Sequence, residues 1–209
     1  MKKLLIIVKY VLFPFLITQA AETTDVRAII GNTETITAQV ETDGTVWVGT
    51  HNGLWMINKK NSHASHLTAE SSILPANDVK GLVVTADGNV YAATEKGLFR
   101  FDGYAYLTVT AENSNLPASG ITSIATDNDG NLWVGTENKG LVLMNNYKCR
   151  FFTTKNSVMT SNSVVKIKSL SDGSVYVQLA DNGVVKIGTE SMSLVAPAQP
   201  ENRSIASRN

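Results

Sequence analysis

From residue 36 onward the chain is a succession of short apolar runs separated by glycine-containing turns. Four of these runs, TVWVGT, NVYAAT, NLWVGT and SVYVQL, follow Asp-Gly pairs at Asp43-Gly44, Asp87-Gly88, Asp129-Gly130 and Asp172-Gly173, in steps of 44, 42 and 43 residues. A second set, GLWMI, GLFRF, GLVLM and GVVKI, opens two to four residues further on, at Gly53, Gly97, Gly140 and Gly183. A third run precedes each Asp-Gly and starts at Ile36, Val79, Ile121 and Val164, while a weaker fourth run (HASHLT, YAYLTVT, CRFFTT, SMSLVA) closes each unit. Runs this short, β-branched or aromatic and bounded by turn residues, predict strands, and their fixed period predicts one supersecondary unit used four times.

Asp-Gly between two such runs marks a tight hairpin, because both residues accept positive φ. Each unit is therefore a four-stranded antiparallel meander. Val46-Trp47-Val48 and Leu132-Trp133-Val134 are apolar on successive residues, so both faces of each sheet must be covered. Four-stranded sheets stacked about an axis at this period describe an all-β protein, a β-propeller of four four-stranded antiparallel blades at about residues 32–70, 75–113, 117–156 and 160–195. An open arc would leave apolar blade faces in water. The expectation is thus a closed small ring, or else half of a larger ring made by two chains, or a truncated relic of a longer propeller. Residues 25–30 (DVRAII) are expected to act as a closing strand, and residues 196–209, without apolar period, as a disordered tail.

The segments DGTVWVGTHNGLWMI and DGNLWVGTENKGLVL, with the linkers ILPANDV and NLPASGI, resemble the two-component regulator propeller repeat. The likeness runs over about residues 32–190 and weakens in the fourth copy, where Gln178 replaces the strand glycine and VMTSNSV replaces the leucine-proline linker. This resemblance implies an extracytoplasmic sensing module that recognises rather than catalyses. The chain stops before any signalling output, so the signal is expected to pass through an envelope signalling protein.

Composition agrees with a folded domain: 209 residues, 43% apolar and 17% charged. Lys2 and Lys3 precede an apolar run from Leu4 to Ile17 and small residues at Thr18, Ala20 and Ala21, the order of a secretory signal peptide over residues 1–20. Lys9 and Pro14 interrupt that run, so no membrane span is expected after cleavage, and the location is periplasmic or extracellular. Cleavage removes three lysines and no acid, leaving 15 basic against 18 acidic residues. No basic stripe exists for nucleic acid.

Cys149 is the sole cysteine and the three histidines lie far from it in sequence, so a buried strand thiol is expected rather than a nucleophile. Asp127-Asn128-Asp129-Gly130-Asn131 opens like a calcium loop but lacks the closing glutamate, and His63 with His66 has no third ligand at zinc spacing. Neither a metal nor any other cofactor is expected, and no nucleophile elbow, zincin helix or phosphate loop is present, so an enzyme is not expected. The aromatics Trp47, Tyr91, Trp133 and Tyr176 share one repeat position, which points to packing between blades before carbohydrate stacking.

Ligand contacts are expected instead from one end of the blades. There the loops between second and third strands bring His51 with Asn52, Glu95 with Lys96, Asn138 with Lys139 and Asp181 with Asn182, and the linkers add Asn77, Asp78, Ser119, Ser161 and Asn162. Amides, hydroxyls and both signs of charge suit a carbohydrate or a peptide ligand, although the same residue types are what tight turns require. A structural or assembly role, in which a homodimer or a partner protein completes the ring, is the alternative, with a propeller hydrolase or lyase behind it.

Overall fold

The computed structural model describes residues 22–32, 34–117, 120–145, 148–188 and 191–195. The expected signal peptide over 1–20, the expected disordered tail over 196–209 and Ser119 lie outside the described residues. Two compact units divide the chain at residue 32. In the first, α1 (Glu22–Ile30) is a helix. It takes the place of the expected closing strand over 25–30. Gly31, at φ 89°, ends it in the left-handed conformation, and its N–H donates to Arg27 O at 3.0 Å. Arg27 in the last turn complements the carbonyl end of the helix. The expectation of a strand rested on the segment's place ahead of blade 1 and left aside the glycine one residue beyond Ile30, which is a helix stop.

The second unit holds sixteen strands in four separate sheets. Blade 1 comprises β1 (Ile36–Thr42), β2 (Thr45–Thr50), β3 (Gly53–Asn58) and β4 (Ala64–Leu67). Blade 2 comprises β5 (Val79–Val84), β6 (Val90–Thr94), β7 (Gly97–Phe101) and β8 (Tyr106–Val109). Blade 3 comprises β9 (Ile121–Thr126), β10 (Leu132–Thr136), β11 (Leu141–Asn145) and β12 (Lys148–Phe152). Blade 4 comprises β13 (Val164–Ser169), β14 (Val175–Leu179), β15 (Val184–Ile187) and β16 (Met192–Val195). Every sheet is a meander in chain order, all pairs antiparallel.

The Asp-Gly turns are of two kinds. In blade 1, Thr42 faces Thr45 directly and both Asp43 (φ 50°) and Gly44 (φ 73°) are left-handed, the two-residue hairpin that the sequence suggests. In blade 2 a longer loop intervenes. The Thr85 N–H donates to Asn89 O, the Gly88 N–H donates to Thr85 O, and only Gly88 (φ 82°) is left-handed. The same bonds recur around Gly130 and Gly173.

Three apolar cores lie between consecutive blades. Trp47, Leu54, Val79, Leu82 and Phe99 join blades 1 and 2; Tyr91, Leu98, Ile121, Ile124 and Val134 join blades 2 and 3; Trp133, Leu141, Val164, Ile167 and Val177 join blades 3 and 4. The first strands stack β1 on β5, β5 on β9 and β9 on β13. Among the described residues no core joins blade 4 to blade 1, so the blades form an open stack and not the closed four-bladed ring favoured from sequence. The objection to an open stack, two apolar end faces, fails at blade 4, whose outward face carries lysines (below).

Close approach at the blade interfaces depends on small residues in the second strand. A Cβ on Gly49 would stand 2.5 Å from Val79 Cγ1, and one on Gly135 would stand 2.5 Å from Val164 Cγ1. The first strand of the next blade therefore rests on bare backbone. Linkers between blades share a second device. Ser72, Ser114 and Ser157 each donate to the carbonyl four residues back (Thr68, Thr110, Thr153) and accept the N–H of Leu74, Leu116 and Met159. Those three side chains are buried, so Met159 fills the place of the leucine that the fourth linker appeared to lack.

Candidate functional site

In blades 1 to 3 the loop between second and third strands is held by one threonine. Thr50, Thr94 and Thr136, all buried, donate to the carbonyls of Gly53, Gly97 and Gly140 at 3.1, 2.9 and 2.7 Å. With the loop base tied, the tip residues point to solvent: His51, Asn52, Glu95, Lys96, Asn138, Lys139, Asp181 and Asn182 are all exposed. Blade 4 has Leu179 in place of the threonine, and there Asp181 accepts the Gly183 N–H at 3.1 Å while Asn182 sits at φ 67°. A hydrogen bond from Thr160 holds the Asp181 carboxyl below its usual range.

The structure brings two of the expected residues into direct contact. His51 Nδ1 lies 2.7 Å from Asp78 Oδ1, linking the blade 1 loop to the linker that enters blade 2, and Lys80 pairs with the other carboxylate oxygen. Partial burial works against ionisation of Asp78, but the bonds from Lys80 and His51 prevail and its carboxyl titrates below the usual range. Asn52 donates to Glu34 at 3.3 Å, and its carbonyl lies 3.0 Å from His66 Nε2, whose ring stacks on Trp55 at 4.1 Å.

Two other expected residues serve the linkers. Asn77 accepts the Ala69 N–H at 2.7 Å and donates to Glu70, and Asn162 accepts the Thr154 N–H at 2.8 Å. The same spacing in both linkers marks a structural staple. The Asn162 carbonyl also receives the Gly140 N–H at 2.8 Å, beneath the loop that carries Asn138 and Lys139.

Glu95 and Lys96 stand on the rim of a cavity of about 510 Å³ between blades 2 and 3. Thr108, Thr110, Glu112 and Thr136 add polar groups, and Pro75, Leu116, Pro117 and Ile121 form an apolar floor. Spacing alone located the two charged tips but not the floor, which the buried linker leucine supplies.

Sequence reasoning missed the opposite end altogether. Cavities of about 370 and 360 Å³ lie between the Asp-Gly turns of blades 2 and 3 and of blades 3 and 4. The first is lined by Asp87, Asn89, Arg100 and Asp129, with Arg100 donating to Asn89 at 3.2 Å and pairing with Asp102 at 3.5 Å. The second is lined by Asp127, Asp129, Trp133, Arg150 and Asp172. The recurrent aspartates were the available signal, and the turn reading had absorbed them.

Three of the four repeat-position aromatics are buried between blades, Trp47, Tyr91 and Trp133, and the Trp133 Nε1–H donates to Asp127 at 2.8 Å. Tyr176 is only half-buried, with Lys186 Nζ 5.6 Å above its ring. Cys149 is partly buried against the core of blades 2 and 3, and burial raises its thiol pKa, which disfavours the thiolate. Among the described residues no three His, Cys, Asp or Glu side chains converge as a metal site, and no helix is long and apolar enough to cross a membrane.

Residues 115–138 match the family model described as two component regulator propeller. No curated protein matches the chain. Among solved structures, virginiamycin B lyase from Staphylococcus aureus superimposes with a TM-score of 0.62 at 16% identity, over 79% of this chain and 56% of the lyase. PorZ, a surface component of the type-IX secretion system of Porphyromonas gingivalis, gives 0.56 at 18% identity, over 77% of this chain and 26% of PorZ. The computationally designed Ika8 protein gives 0.57 at 13% identity, over 81% and 50%. At these identities the likeness is one of fold: a β-propeller whose repeat resembles that of two-component regulators. The chain spans little more than half the length of the lyase.

Proposed function

We propose that this chain is an exported recognition module, which binds a carbohydrate or a peptide loop at the end where the second-to-third-strand loops gather and carries out no chemistry of its own. The groove between blades 2 and 3 carries this reading. Its apolar floor of Leu116, Ile121 and two prolines is rimmed by threonine hydroxyls and by charges of both signs, the composition that suits a neutral polar ligand. Likeness of the repeat to two-component regulators supports a sensory role, with the signal handed to an envelope protein. The leader at residues 1–20 supports export to the periplasm or beyond. The test is a glycan array and a peptide library screened with the purified protein, then repeated with Glu95→Ala/Lys96→Ala. A hit weakened at least about tenfold by that pair supports the reading, and flat screens on both platforms, or a hit indifferent to the pair, oppose it.

A second reading, an assembly role in which the stack is completed by another chain, draws on the open arrangement of blades and on the likeness in fold to a bacterial surface component. A hydrolase or lyase stands behind both. His51 is largely open to solvent and the Asp78 carboxylate is shared between His51 and Lys80, so the pair is not held in the water-excluded setting that proton-transfer catalysis uses. Turnover in a lyase and glycosidase panel, abolished by His51→Ala, would reverse that order.

A further inference from the structure

The cavity of about 360 Å³ between the Asp-Gly turns of blades 3 and 4 is lined by two side chains of opposite charge, Asp129 and Arg150, that form no ion pair among the described residues. The other acids of the cavity are engaged. Asp127 takes the N–H groups of Asp129 and Asn131 on one carboxylate oxygen and the Asn131 amide and the Trp133 indole on the other, and Asp172 is bonded to Ser174. Asp129 contributes only its backbone N–H to that turn, so its carboxylate is left to solvent. Arg150 is exposed on β12, and its guanidinium carbon lies 5.0 Å from the centre of the Phe152 ring. The stacked guanidinium keeps its N–H edge for a partner that the fold does not supply. Behind these charges the wall is apolar: Leu143, Phe152, Ile187 and Met192 line the cavity while packing on the core of blades 3 and 4.

We infer that this cavity is a second binding site, for a small zwitterion: a free α-amino acid or dipeptide with an apolar side chain. The ligand carboxylate meets Arg150, whose planar fork suits bidentate pairing and is held flat by the Phe152 ring. Its ammonium group meets Asp129, and its side chain lies on the apolar wall. Charge decides against the other ligand classes. A neutral sugar would displace water from both charges and return a counter-charge to neither, whereas a zwitterion supplies one to each. A simple anion would face the carboxylates of Asp127, Asp129 and Asp172, and a simple cation would leave Arg150 without a partner. The size agrees, since the volume sits at the small end of the range of about 300–1,000 Å³ for ligand pockets. This site lies at the other end of the blades from the groove of Glu95 and Lys96 and shares no lining residue with it, so it stands or falls separately from the proposed function.

The experiment is calorimetric titration of the purified protein with the common amino acids and apolar dipeptides, with their N-acetyl and carboxamide forms, and with neutral sugars. An apolar amino acid or dipeptide should bind, and blocking either its ammonium or its carboxylate should weaken it at least about tenfold. Asp129→Asn should erase the preference over the N-acetyl form and keep that over the carboxamide, and Arg150→Gln should do the reverse. Glu95→Ala/Lys96→Ala should leave every one of these affinities unchanged. No binding of any amino compound up to about 10 mM would overturn the inference, as would binding that is indifferent to both blocking groups or to both single variants. Should a variant fail to fold, the blocked ligands on the unaltered protein decide alone.

Discussion

Blade 3 and blade 4 have the same four strands and the same register, yet every residue of β10 is buried and only alternate residues of β14 are. Blade 3 lies between two neighbours, so each of its faces must be apolar, small where backbone meets backbone and large where a gap must be filled. Blade 4 has one neighbour. Its inner face keeps Val175, Val177 and Leu179, while the side chains pointing away become Tyr176, Gln178 and three lysines. Two hydrogen bonds of blade 3 are also missing from blade 4: Leu170 stands where Asp127 meets Trp133, and Leu179 stands where Thr136 anchors its loop. Loss of the repeat signature thus falls on the face of blade 4 that packs against no described blade.

Alanine at the shared aromatic position tests this contrast most strongly. Trp133→Ala empties a buried site between blades 3 and 4 and removes the indole bond to Asp127, and should cost about 3–5 kcal/mol in denaturant unfolding. Tyr176→Ala removes a half-buried ring and one cation–π contact and should cost about 1 kcal/mol. Equal losses would mean that blade 4 is covered in solution. Next comes the linker that enters blade 4. Met159→Ala should cost about 2–5 kcal/mol, whereas Met159→Leu, which restores the residue of the earlier linkers, should stay within about 1.5 kcal/mol of the unaltered protein.

The architecture was legible because each strand advertises itself twice, by alternation or apolar runs and by the turn that bounds it. All sixteen strands fall on the apolar runs, including the weak SMSLVA run that becomes β16. The character of the outward face of blade 4 was not legible, since Gln178 and the lysines of β13 and β15 look like ordinary divergence until the register shows that they share one face. Helix α1 was missed because a terminal segment has no repeat partner to be compared with. At the loop end, residue type could not separate Asn77 and Asn162, which bind backbone eight residues away, from Glu95 and Lys96, which line the groove. Side-chain partners across a linker are set by the folded backbone, and residue type alone does not reveal them.

Exchanging the small and large residues of the second strand sharpens the comparison further. Gly135→Gln should destabilise by about 1–3 kcal/mol through overpacking against Val164 and Ser123. The reverse change, Gln178→Gly, should cost only about 0.5–1 kcal/mol, the ordinary penalty of glycine within a strand. Thermal unfolding of the two variants beside the unaltered protein reads both.

The smallest effect lies in the hairpin of blade 4. Asp172 accepts from the Ser174 hydroxyl and N–H, at 2.5 and 2.9 Å, and these bonds, with a lesser contribution from Lys186, hold its carboxyl below the usual range against a minor opposing effect of burial. A depressed folded pKa means that this carboxylate stabilises the fold above the ordinary carboxylate range and loses that contribution as pH falls through the folded value. Side-chain carbon NMR should therefore show Asp172 returning toward the ordinary value in Ser174→Ala, and moving less in Lys186→Leu. The opposite ranking would put Lys186 closer to Asp172 than to the Tyr176 ring.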